Sequence, residues 1–338
     1  MTDPLMLVGS IGSPYSRKLR AVVRYRRIPF QWVGHGSKES AALPEPPLPL
    51  LPVLHFPTGP GYEATSDTTF QVRRLEAEYR QRSVIPADPV IAMLDFLIED
   101  YADEWVTKMM FHYRWAIEEN VVNANRTLPR WMPAIPEKMA NTFPETFGKR
   151  QVNRLGVVGS NEATAPVIEA SYRRLLEILE QHLQLHAFVM GARPGTADFG
   201  LFGQLSQLAQ VEPTSRRLCR ETAYRVIPWC ENVEDLSGIE VTDDDWFARD
   251  ALPETFRALL GEIGRSYAPF LLANAEALAS GADAVECAID GARWTQTPFK
   301  YQGKCLEWLR ESHAALSDAE RGVFDDILAG TGCEAIFR

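Results

Sequence analysis

"SIGSPYSRKLRAVVRY" (residues 10–25) follows a short apolar run, Leu5 to Val8, and decides how the rest of the chain is read. Gly9 ends that run, as expected for a buried strand. From Pro14 the pattern turns helical: Leu19, Val22 and Val23 share a face, while Arg17, Lys18, Arg20 and Arg24 occupy others. Pro14 suits the first turn of that helix and Ser13 its N-cap. Ser13 and Ser16 stand where a Cys-Pro-Tyr-Cys redox loop would carry its two thiols. Without them the loop cannot cycle a disulfide.

Downstream, "RRIPFQWV" breaks at Pro29 and resumes as a second short strand from Phe30 to Val33, which gives a strand, helix, strand unit with parallel strands and a right-handed crossover. After the Pro-rich loop "LPEPPLPLLP", the runs "VLHF" and "YEATS" flank "PTGPG", a hairpin signal. A helix starting near Asp67, "DTTFQVRRLEAEYR", closes a βαβ-ββα unit. Beyond "RSVIPADP" the reading finds no strand alternation. Ile91, Leu94, Ile98, Tyr101, Trp105 and Met109 recur at helical spacing, as do Ile168, Tyr172, Leu175, Leu179 and Leu183. Two long antiparallel helices account for both sets, with a long loop and one or two short helices expected over 125–164. "RPGTADFGLFGQLSQLAQ" begins another helix, and helical character continues into the C-terminal region. The expected fold class is therefore α/β plus all-α: a small α/β domain followed by a larger helical one.

Composition narrows the function. A formal net charge of −10 and the absence of a long Lys/Arg run oppose binding to nucleic acid. Five cysteines, Cys219, Cys230, Cys287, Cys305 and Cys333, show neither CxxC pairing nor zinc-ligand spacing, which fits a reducing cytoplasm and no metal. The opening residues lack a basic leader with a long apolar core, and no run reaches the ~18 apolar residues of a membrane span. The expectation is a cytoplasmic chain with no membrane partner.

Four segments together resemble the glutathione transferase superfamily: "SPYSRKLR", "LPVL", "DTTFQVRRLE" and "RPGTADFGLFGQL". The resemblance covers roughly residues 5–237 and implies a thioredoxin-like glutathione-binding domain over 1–82, a helical C-terminal domain over 83–238, and a helical extension packed on it over 239–338. Two features depart from the family pattern. Gly195, three residues before Asp198, replaces the usual Ser or Thr, so half of a capping box is missing, unless Thr196 moves the cap by one residue. The extension, with its aromatic and polar stretch "WTQTPFKYQGKCLEWLR", covers either the cleft or a subunit interface.

Residue by residue, the resemblance puts Ser13 beside the glutathione sulfur, with Ser10 and Tyr15 as alternative hydroxyls. A hydrogen bond to a charged group contributes about 1.5–3 kcal/mol. At roughly 1.4 kcal/mol per pKa unit, one such bond brings a thiol from ~8.5 to about 7. Pro52 is implied to be cis and to expose the Val53 backbone to the cysteinyl part of the ligand. Asp67 and Thr68 are implied to take the γ-glutamyl ammonium and carboxylate. Phe111, Tyr113, Arg114 and Trp115 are candidates for an apolar second-substrate pocket with one cation. The competing structural readings are helix caps for Ser13 and Asp67 and core packing for the aromatics.

Three other features read as ordinary surface: His182 and His186 as solvent-facing histidines, and the acidic "EDYADEW" and "DDD" segments as solvated faces or caps. "NRT" at Asn125 is a glycosylation acceptor only in a secreted chain. The function expected by resemblance is activation of glutathione, as co-substrate, for attack on a small electrophile by a homodimer. A catalytically silent binding or interaction module of the same fold is the alternative. A thiol transferase working through a helical-domain cysteine is a third reading.

Overall fold

A computed structural model describes residues 3–132 and 134–338. Its N-terminal sheet contains β1 (Leu5–Gly9), β2 (Phe30–Gly34), β3 (Val53–Thr58) and β4 (Gly61–Thr65), in the order β2-β1-β3-β4. β1 runs parallel to β2, with Leu7 opposite Trp32, and antiparallel to β3, with Val8 opposite Val53. α1 (Pro14–Tyr25) provides the crossover; a short α2 (Lys38–Ala41) follows β2, and α3 (Thr68–Glu78) follows the hairpin. This is the expected thioredoxin-like βαβ-ββα unit, and its apolar positions Leu5, Leu7, Leu19, Val22, Leu54 and Val72 are buried.

The helical region begins with α4 (Pro89–Tyr101), a π-helical turn (Ala102–Val106) and α5 (Thr107–Ala116). α6 (Glu118–Thr127) leads into the stretch expected to be a long loop, and α7 (Glu137–Ala140) and α8 (Lys149–Val152) are the short helices within it. α9 (Ala165–His182), α10 (Thr196–Leu208), α11 (Pro213–Thr222) and α12 (Val226–Val233) complete the bundle. α10 is buried along its whole length and lies against α1. Gly203 permits that approach, since a Cβ there would sit 2.8 Å from the Pro14 carbonyl oxygen.

The incomplete capping box at Gly195 is completed from a distance. Asp198 accepts the Gly195 N–H at 3.0 Å, and the Asp95 carboxylate on α4 accepts Thr196 N–H at 3.1 Å and Ala197 N–H at 2.9 Å. A side chain from a neighbouring helix thus does the work of the absent Ser or Thr.

The extension contains α13 (Glu254–Glu262), a π-helical turn (Ile263–Tyr267), α14 (Ala268–Ser280), α15 (Lys300–Ala314) and α16 (Asp318–Leu328). It also contains a β-hairpin, which corrects the expectation of helices alone: β5 (Val285–Ile289) pairs with β6 (Ala292–Gln296). Phe256, Leu260, Phe270, Leu271 and Trp294 join the main hydrophobic core, so the extension shares it with the bundle. Gly264 sets the depth of that docking, because a Cβ there would lie 2.1 Å from the Thr331 carbonyl oxygen. No helix among the described residues is long and apolar enough to cross a membrane.

Candidate functional site

Ser13 caps α1: its Oγ accepts the Ser16 N–H at 3.2 Å. The free donors at this helix start are fewer than the helix alone promises. Pro14 has none, the Ser13 N–H goes to the Ser10 carbonyl at 3.0 Å, and the Ser10 N–H goes to the buried Ser16 Oγ at 3.2 Å. The Ser13 hydroxyl proton and the Tyr15 N–H find no acceptor among the described residues, so this half-buried corner offers a visiting anion those two donors. The Tyr15 hydroxyl is directed elsewhere: it donates to the Asp103 carbonyl at 2.7 Å, and burial raises its pKa well above the usual tyrosine value.

The helical domain holds the loop by its backbone. Arg114 Nη1 donates to the Gly12 carbonyl at 2.8 Å and Gln207 Nε2 to the Ile11 carbonyl at 3.2 Å. Arg114 also donates to Glu212 at 2.5 Å and to Gln207 at 2.7 Å, and all three side chains are buried. The expected second-substrate pocket is corrected accordingly. Arg114 is a loop clamp, Tyr113 packs edge-on to Tyr172, and Trp115 is buried beside Ala124 and Leu128. Phe111, half-buried beside them, is the one of the four not fully enclosed.

At the other end, the Leu51–Pro52 peptide is cis and Val53 lies at the start of β3. The buried Gln71, missed in the sequence reading, ties α3 to this turn: its Nε2 donates to Pro52 O at 3.2 Å and Thr65 O at 2.9 Å. Asp67 caps α3 through Oδ1, which accepts the Thr69 N–H at 3.1 Å, and Thr68 is buried. Asp67 Oδ2 accepts a hydrogen bond from the Tyr301 hydroxyl at 2.6 Å. Tyr301 belongs to α15, so the extension enters the corner assigned by resemblance to the γ-glutamyl group. Trp308, further along α15, packs edge-on to Phe70 with ring centroids 5.0 Å apart and to Tyr301 at 5.8 Å.

The acidic segment 99–104 is not the solvated face expected of it. Glu99, Asp100, Asp103 and Glu104 are all at most 8% exposed, between the N-terminal domain, the bundle and the extension. Lys18, itself 1% exposed, donates to Glu99 at 2.7 Å and to Asp103. Burial opposes the Lys18 charge, but Asp103 and Glu99 outweigh it and hold the ammonium above its usual range. Asp100 accepts from the Tyr267 hydroxyl at 2.6 Å, and burial pushes its carboxyl up to about 7. Burial likewise raises Asp103 to about 6, against the pull of Lys18. Charge in this segment escaped the sequence reading because the partners that bury it come from α1 and the extension.

Two further expectations change. His182 is buried, bonded to Thr255 Oγ1 at 2.8 Å and the Phe188 carbonyl at 3.1 Å, so it does not face solvent. Cys219 and Cys230 are buried in the bundle, whereas Cys305 lies one helical turn beyond Tyr301 among the same acids. Burial and the Asp100 and Glu104 carboxylates push its thiol far up, which keeps it protonated and weakly nucleophilic.

Residues 7–83 match the family model described as "Glutathione S-transferase, N-terminal domain". Over those residues the chain is similar to a glutathione transferase N-terminal domain, where the sequence resemblance places one. Among solved structures, FzlA from C. crescentus is similar at 16% identity and a TM-score of 0.43, over 76% of this chain and 92% of that one. A glutathione transferase from Pseudomonas putida, with one glutathione disulfide bound per subunit, is similar at 15% identity and a TM-score of 0.40, over 68% and 86%. A glutathione transferase family member from Pseudomonas fluorescens, with two glutathione bound, gives 15% and 0.42, over 68% and 87%. No curated protein matches the sequence.

Proposed function

We propose that this chain is a glutathione transferase-fold binding module whose glutathione groove is closed by its own C-terminal extension. One observation carries the reading: the Asp67 oxygen that would receive a ligand ammonium already accepts the Tyr301 hydroxyl, at 2.6 Å. A ligand reaching Asp67 must share or displace that bond. The five cysteines are free, which supports a reducing, cytoplasmic setting.

A second reading, activation of glutathione for attack on a small electrophile, is favoured by the uncommitted Ser13 hydroxyl. It requires α15 to move. Calorimetric titration with glutathione, paired with turnover of an activated aryl halide, separates the two on wild type and Tyr301→Phe. The module reading expects weak binding, no turnover, and about tenfold tighter binding in the variant, the worth of one hydrogen bond to a charged acceptor. Wild-type turnover would establish the transferase reading instead, and looser binding in the variant would make Tyr301 part of the ligand site.

A further inference from the structure

The segment after α3 and the loop after α12 enclose a cavity of about 500 Å³, lined by Arg80, Arg82, Arg193, Thr242, Asp243 and Trp246 among others. None of these belongs to the groove between Ser13 and Asp67. Three guanidinium groups and one carboxylate line it, on a chain whose formal net charge is −10.

The arginines are fixed in place largely by neutral acceptors. Arg193, 3% exposed, donates to the Tyr25 hydroxyl at 3.1 Å, Ser83 O at 2.8 Å, Thr242 O at 3.1 Å and Asp243 at 2.6 Å, and its guanidinium lies over Trp246 at 3.8 Å. Arg82 donates only to carbonyls, those of Tyr25, Ile239 at 2.8 Å and Leu236 at 3.2 Å. Carbonyls orient a guanidinium without cancelling its charge. The nearest acid to Arg82 is Glu240 at 3.9 Å, 81% exposed and shared with Arg27. Burial, reinforced by the Arg27 and Arg193 cations, holds the Arg82 pKa below its usual value, and the residue sits at a left-handed φ of 53°. Arg80 is exposed and makes no hydrogen bond or ion pair with any described residue, so all five of its N–H donors are free.

We propose that this cavity binds a small phosphate-type oxyanion, free or carried on a small metabolite, between the fixed Arg82 and Arg193 and the exposed arm of Arg80. A tetrahedral dianion accepts from the free Arg80 donors and the remaining Arg82 and Arg193 N–H groups at once, and compensates the Arg82 charge that carbonyls orient without cancelling, Arg193 being already paired with Asp243. The cavity is larger than phosphate alone needs, which leaves room for an organic remainder.

The test is thermal unfolding and calorimetry of the full chain with inorganic phosphate, then glycerol 3-phosphate, each against chloride at equal ionic strength. Phosphate at ten times its dissociation constant should raise Tm by about 2 °C. Arg80→Ala should weaken binding about tenfold and Arg80→Glu should abolish it, with Tm in chloride unchanged. Tighter binding of glycerol 3-phosphate identifies a metabolite as the source, and tighter binding of inorganic phosphate identifies the free anion. Chloride matching phosphate, or Arg80→Ala binding phosphate as wild type does, would overturn the proposal. Tyr301→Phe should bind phosphate unchanged, which keeps this result independent of the glutathione reading.

Discussion

The two ends of the groove are held by different means. At the Ser13 end the helical domain grips the loop by its carbonyls, through Arg114 on Gly12 and Gln207 on Ile11, and leaves the Ser13 hydroxyl proton uncommitted. At the Asp67 end the extension grips the functional side chain itself, through Tyr301. A site positioned through its backbone keeps its chemistry available; one positioned through its side chains uses that chemistry for structure. In this chain the first end is ready for a ligand and the second is already engaged.

The backbone grip is the larger lever. Arg114→Met would leave Glu212, fully buried, without its cation, and should destabilise the fold by about 3–5 kcal/mol in urea unfolding. Arg114→Met with Glu212→Gln should recover more than half of that, since the orphaned charge is gone. A single-variant loss below about 1 kcal/mol would mean the Gly12 loop does not depend on this clamp.

The extension seam gives the next effect, and its sign follows from burial. Asp100 is raised to about 7 in the fold, against ~3.9 unfolded, so the native state binds its proton more tightly between those values. Its contribution is therefore neutral below pH 4 and increasingly destabilising as pH rises toward 7. Tyr267, Asp103, Cys305 and Glu99 surround it, and Asp103 and Glu104 shift in the same direction. Asp100→Asn, which keeps an oxygen for Tyr267, should stabilise the protein by about 2 kcal/mol at pH 8 and not at pH 4. An equal gain at both pH values would place the origin outside this titration.

How much of this was legible depends on the distance between partners. The N-terminal unit could be read because its signals are local: Gly9 ending β1, Ser13-Pro14 opening α1, Asp67 capping α3. The β5–β6 hairpin was legible too, since Asp290-Gly291 is a strong hairpin-turn signal and both residues adopt positive φ, 52° and 76°. The helical periodicity on either side of it, in α14 and α15, masks the signal. Glu99 to Glu104 resembled a polar face because nothing nearby in sequence shows that Lys18 and Tyr267 will enclose them. The Tyr301–Asp67 bond spans 234 residues, and no local pattern announces it.

Tyr301 itself should matter less to stability than to access. Tyr301→Phe removes one hydrogen bond to a carboxylate that keeps its Thr69 donor, a loss of about 1–1.5 kcal/mol. Hydrogen exchange should accelerate in α15 and leave α1 unchanged. Uniform acceleration across both helices would erase the contrast between the two ends.

The smallest expected change separates the cap from the chemistry at Ser13. Ser13→Ala should cost about 1 kcal/mol as a lost N-cap, whereas Ser13→Gly costs only a few tenths. Glycine therefore removes the hydroxyl while nearly preserving the helix start. In the Tyr301→Phe background, the ultraviolet absorbance of bound glutathione thiolate, followed against pH, reports the sulfur pKa. If the Ser13 proton bonds sulfur, Ser13→Gly should raise that pKa by about one unit. Of the two donors at that corner the Tyr15 N–H then remains, opposed by the buried carboxylates of the seam. An unchanged pKa would make Ser13 a cap and nothing more, and the sulfur end would then be, like the Asp67 end, a place where side-chain chemistry is used for structure.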